Sequence, residues 1–143
     1  MILDTTYLLP LARMKVKADL LKAVAEGRVE GVDLSSFKVS LISLFELQAK
    51  ASRKHIPAEY VAEAVETILE FFEAIPFYWR EIIVEERKLT KLVEDLIDRL
   101  ILATAIALKE DLVTKDREIR SVKTEIGRMH EVKILSYADL ARE

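Results

Sequence analysis

Four carboxylates stand where their apolar neighbours predict burial. Asp4 closes the opening run Met1-Ile2-Leu3, and Asp116 follows Leu112-Val113-Thr114 by two residues. Glu46 lies between Phe45 and Leu47, and Asp98 lies inside the stretch Asp95 to Leu108, which is apolar on nearly every face. If the four converge on one cleft, like charges repel and resist ionisation, and a divalent cation removes that penalty. Every candidate donor is an oxygen, and neither His55 nor His130 has a spaced partner histidine. Hard oxygen donors suit Mg²⁺ or Mn²⁺. Such an ion activates a water and neutralises phosphoryl charge in an in-line displacement, so the chemistry indicated is phosphodiester hydrolysis.

Each acid also has an ordinary structural reading. Asp4 and Asp116 are good helix caps, since an aspartate oxygen accepts the free N–H groups of a first helical turn. Glu46 is spaced to face Lys50 one turn on as a surface pair. Asp98 resists this treatment, because an unpaired buried carboxylate is costly and Arg99, the nearest cation in sequence, points to another face. Asp95 occupies the favourable end of the same helix's dipole and reads as structural.

The elements that would carry these acids alternate between strand and helix. After a first strand, apolar residues at helical spacing predict a helix from about Leu8 to Gly27. Phe37 to Leu41 reads as a short strand, and Ser40 or Ser43 as the cap of the helix that bears Leu44, Leu47 and Ala51. Pro57 suits the first turn of a helix running through Phe71 and Phe72. Ile75 to Trp79 reads as an edge strand, where proline is tolerated, followed by a helix over Arg80 to Val93. Asp95 to Leu108 is a buried helix, and Asp111 to Thr114 and Val132 to Leu135 are further strands. This order implies a parallel sheet covered by helices on both faces, with sites at the carboxyl ends of strands.

Composition narrows the classes. The 143 residues are expected to form one domain over 1–143. The chain has no cysteine, which excludes a disulfide scaffold and a thiolate zinc site. No signal peptide is expected, because Asp4 breaks the first apolar run. No apolar stretch reaches the ~18 residues of a membrane span, so a cytoplasmic protein is expected. The formal charge of −3 shows no basic excess, although local patches matter more than the sum. One glutamine, no asparagine and many Glu, Lys and Arg resemble thermophile compositions.

Four stretches, MILDTTYLL, SLISLFELQAKA, DRLILATAIAL and LVTKDREI, occur in this order over almost the whole chain. Together they resemble the PIN-domain nucleases, and within them the short VapC toxins of toxin–antitoxin pairs. The resemblance implies a three-layer α/β/α sandwich around a five-stranded parallel sheet, and an endoribonuclease dependent on Mg²⁺ or Mn²⁺. The family's acidic set falls on Asp4, Glu46, Asp98 and Asp116. By resemblance, Thr5 or Thr6 and Thr114 support those acids or a water from behind. The second threonine departs from the asparagine or serine common there, and Phe77-Tyr78-Trp79 is unusually aromatic. Those rings are suited to stack on bases or to pack in a core or dimer interface. Lys115, Arg117, Arg120 and Lys123 (with Arg128) are candidate RNA phosphate contacts, or else one face of a mixed-charge helix. Arg13, Lys15, Lys17 and Lys22 form a second basic group. An antitoxin partner and a homodimer are implied by resemblance only. The alternatives are a non-catalytic binding module with this fold, a housekeeping RNA-processing nuclease, and a phosphatase or DNase using the same metal chemistry.

Overall fold

The computed structural model describes residues 1–141. Five short strands form one sheet: β1 (Ile2–Leu3), β2 (Lys38–Ser40), β3 (Glu73–Ile75), β4 (Leu112–Val113) and β5 (Ile134–Leu135). Their order is β3-β2-β1-β4-β5, and every neighbouring pair is parallel. The first strand is therefore central, with Ile2 opposite both Lys38 and Leu112.

Strand alternation divides the interior into two layers. Leu3, Val39 and Val113 point into one hydrophobic cluster with Leu8, Leu20, Leu47 and Ile68. Ile2, Ile75, Leu112 and Ile134 point into the other with Ile82, Ile101, Ile119 and Ile126. Helices α1 (Leu20–Ala25), α2 (Leu41–Arg53) and α3 (Ala58–Phe71) supply residues to the first cluster. Helices α4 (Arg80–Lys88), α5 (Leu96–Leu108), α6 (Arg117–Ser121) and α7 (Lys123–His130) supply the second. A final helix, α8, spans Tyr137–Ala141. This is the expected α/β/α sandwich. Leu100 to Ile106 of α5 are all buried, as an all-round apolar helix requires.

Several expected boundaries are corrected. The helix expected over Leu8–Gly27 is two elements, a 3-10 helix at Thr5–Ala12 and then α1. Arg13 ends the first by adopting a left-handed conformation (φ 63°), with its N–H donated to the Pro10 carbonyl at 2.9 Å. Asp19 then caps a new start by accepting from the Lys22 N–H at 3.1 Å. The strand expected at Ile75–Trp79 is β3, which stops before Pro76; proline has no N–H with which to extend a ladder. It does lie at the sheet edge. The helix expected to reach Val93 ends at Lys88, and Ser40 rather than Ser43 caps α2, accepting from the Ile42 N–H. Among the described residues no helix is long and apolar enough to cross a membrane.

Candidate active site

Parallel strands deliver Asp4 and Asp116 to the same edge. Asp4 follows β1 directly, and its N–H donates to the Val113 carbonyl at 3.0 Å. Its side chain is 3% exposed. Oδ1 accepts from the Thr5 N–H at 2.7 Å, and Oδ2 accepts from the Thr114 hydroxyl at 2.6 Å. The same Thr114 oxygen accepts the Asp116 N–H at 3.0 Å, and Asp116 Oδ1 caps α6 through the Ile119 N–H at 3.0 Å. One buried hydroxyl thus couples the two strand-end acids. Both also serve as caps, so the capping and clustering readings coexist.

Glu46 and Asp98 arrive on helices. Glu46 is half-buried on α2, three residues after Ser43, whose Oγ accepts from the Thr5 hydroxyl at 2.9 Å. Asp98 is half-buried in the first turn of α5, whose cap is Asp95, accepting the Asp98 N–H at 3.0 Å. Arg99 turns away from Asp98 and donates to Glu86 at 2.9 Å.

The electrostatics join all four. Burial pushes the Asp4 carboxyl up to about 6, and the Glu46 charge adds to the rise. Hydrogen bonds from Thr114 and Thr5, and the charge of Lys50, oppose it. Asp98 is pushed up to about 7, first by burial and then by the charges of Asp116, Asp95, Asp4 and Glu46. None of the four acids makes an ion pair within 4.0 Å among the described residues. Nor do three or more Asp, Glu or His side chains there stand close enough together to hold an ion. The acids share an electric field rather than a finished coordination sphere. Their donor chemistry and uncompensated charge fit a hard divalent cation.

Thr5 and Thr114 are buried, with hydroxyls in the network described above, whereas Thr6 is half-buried and makes no side-chain hydrogen bond among the described residues. Lys115, Arg117, Arg120 and Lys123 are all exposed. The charges of Lys123 and Arg120 help hold the Asp139 carboxyl of α8 below its usual range, and that of Arg120 also acts on Tyr7. Of the aromatics, Phe77 packs on the second core and meets Tyr78 edge-on at 5.4 Å, while Tyr78 and Trp79 are exposed. Arg13 lies over the Tyr60 ring at 3.8 Å. Sequence reasoning missed Ser43 as a link to α2 and Lys50 as a cation acting on Asp4. The helical spacing of Ser43, Glu46 and Lys50 was the available signal.

A family model described as PIN domain matches residues 1–125. No curated protein matches the sequence significantly. Solved structures do match the fold. FitAcB from Neisseria gonorrhoeae is 16% identical, with a TM-score of 0.67, 97% of this chain covered and 99% of that one. VapBC2 from Rickettsia felis, bound to a DNA fragment from their promoter, is 20% identical, with a TM-score of 0.63 and coverages of 94% and 96%. A toxin–antitoxin complex from Klebsiella pneumoniae is 19% identical, with a TM-score of 0.61 and coverages of 95% and 96%.

Proposed function

The chain belongs to the PIN-domain family, and from that premise we propose that it is an endoribonuclease dependent on Mg²⁺ or Mn²⁺. The observation that supports this reading is the buried Thr114 hydroxyl shared by Asp4 and Asp116, beside an Asp98 raised by burial and by the charges of Asp116, Asp4 and Glu46, with no ion-paired cation on these acids among the described residues.

In this reading residues 1–143 are one domain, and Asp4, Asp98 and Asp116 hold the cation, with Glu46 binding it directly or through water. When bound, the cation supplies positive charge to the phosphoryl oxygens and lowers the pKa of a water. The chain's own residues do the rest. The Thr5 N–H and the Thr114 hydroxyl fix both Asp4 oxygens, leaving the remaining lone pairs for a ligand. The Asp98 carboxyl, raised to about 7, holds a proton in part at neutral pH and releases it on loading. Lys115, Arg117, Arg120 and Lys123 contact RNA phosphates, which carry no sequence information themselves. Water, not a side chain, is the nucleophile.

The likeness to a toxin–antitoxin complex supports an antitoxin partner and a role as the toxin of such a pair; that it acts as a homodimer in the cytoplasm is part of the proposal alone. A second reading draws on the acids' spacing, which is not yet that of a coordination sphere: a module with this fold that acts only through a protein partner. The test is cleavage of labelled RNA with Mn²⁺. We expect cleavage by the parent chain, abolished by a chelator and reduced roughly 100-fold or more in Asp4→Asn and Asp98→Asn, both still folded. Full activity in either variant removes that acid from the site, and a parent chain that cleaves no RNA with Mn²⁺ removes the nuclease assignment.

A further inference from the structure

We propose that Glu118 is a positioning residue that sets the separation of Asp98 and Asp116 and so tightens cation binding between them. The proposal rests on the reading of these acids as a cation site. Asp98 and Asp116 sit on different helices, α5 and α6, and no side-chain hydrogen bond joins them among the described residues. The starts of the two helices are nevertheless neighbours: Asp98 follows Glu94 by four residues, Asp116 precedes Glu118 by two, and the Glu94 N–H meets Glu118 Oε1 at 2.7 Å. Like charges push apart, so something must oppose that push.

The restraint runs through the backbone of Glu94, just before α5. Its N–H donates to Glu118 Oε1 at 2.7 Å, a short, charge-assisted bond. Its carbonyl accepts from Arg99 Nη1 at 2.5 Å, and the same nitrogen donates to the Val93 carbonyl at 3.0 Å. Arg99 is anchored in turn by Nε to Glu86 Oε2 at 2.9 Å, and Glu86 is buried. The Glu94 carbonyl is therefore tied to the residue after Asp98, and the Glu94 N–H to the helix that Asp116 caps. Glu118 is the only member of this chain of contacts that comes from α6. It is exposed and turned to the Glu94 amide, so its carboxylate works as a tether. In the cation-free protein the tether holds like charges together; with a cation between them it pre-organises the ligands.

Replacing Arg99 would leave buried Glu86 with only the exposed Arg87 at 3.5 Å as its ion-pair partner among the described residues, so the informative variants are at Glu118. The full chain is compared as parent, Glu118→Ala and Glu118→Gln, by Mn²⁺ titration followed by electron paramagnetic resonance. Hydrogen exchange at the Glu94 amide and the metal-free melting temperature are recorded alongside. We expect Glu118→Ala to speed exchange at Glu94 and to weaken Mn²⁺ roughly tenfold, with no fall in metal-free melting temperature. Glu118→Gln should restore most of the affinity, because an amide oxygen still accepts the Glu94 N–H. Unchanged affinity in Glu118→Ala overturns the proposal alone. So does a Gln variant as weak as the Ala variant, since Glu118 would then act by its charge. A parent chain that binds no Mn²⁺ at millimolar concentration overturns the cation-site reading and the proposal together.

Discussion

The two edges of the sheet handle charge in opposite ways. At the amino edge, Glu110 pairs with Lys38 and, at 2.8 Å, with the Met1 amino group. These cations hold its carboxyl below the usual range despite its burial. At the carboxyl edge, the Asp4 and Asp98 carboxyls are raised and the one cation acting on Asp4 is Lys50, which makes no ion pair among the described residues. A fold that can neutralise a half-buried acid at one edge has left four acids without an ion pair, among the described residues, at the other. Stability alone explains the first arrangement. The second makes sense when the missing charge comes from outside the chain.

The contrast is broken most sharply by activity. Removing a carboxylate from the carboxyl edge, as in Asp98→Asn, is expected to cost roughly 100-fold or more in RNA cleavage. Glu110→Gln should leave cleavage unchanged, and equal losses from the two variants would erase the distinction between the edges. Next in size is Thr114→Val. It leaves Asp4 Oδ2 and the Asp116 N–H without their partner, at a cost of about 2 kcal/mol in a denaturant titration. Mn²⁺ affinity should fall with it. Thr6→Val, which removes no such bond, is the control and should change neither. The smallest effect is that of Glu110→Gln on stability, about 1 kcal/mol, because its partners remain partly solvated.

Much of this arrangement is legible in the sequence, for physical reasons. Short apolar runs followed by Asp4 and by Thr114-Lys115-Asp116 already place acids at strand ends, because a strand buried on both faces has no alternation to confuse with a surface element. The α5 helix is similarly plain, since no solvent-facing stripe interrupts it. What is not legible depends on contacts across the chain. Nothing local chooses Thr5 over Thr6; the choice is made by Ser43, brought from α2 to meet the Thr5 hydroxyl. Likewise Glu118 reads as an ordinary acid in a first helical turn until the fold lays the Glu94 amide against it. The break at Arg13 was hidden because apolar spacing continues across it while the backbone reverses hand.

The central claim, that the carboxyl-edge acids await a cation, is tested most directly by melting curves against pH with and without Mn²⁺, for the parent chain and Asp98→Asn. With carboxyls raised to about 6 at Asp4 and about 7 at Asp98, the folded state keeps protons that the unfolded state has released. Metal-free stability from these groups is therefore present below about pH 4 and is lost as pH rises to about 7. Asp98→Asn removes its share of that loss. Without metal it should melt roughly 2–5 °C above the parent at pH 7.5, after allowance for solvent screening, and level with it at pH 4. Mn²⁺ should raise the parent's melting temperature at pH 7.5, do little at pH 4, and do less for the variant at pH 7.5. A parent chain whose melting temperature ignores millimolar Mn²⁺ at pH 7.5, or an Asp98→Asn variant less stable than the parent there without metal, would contradict the account.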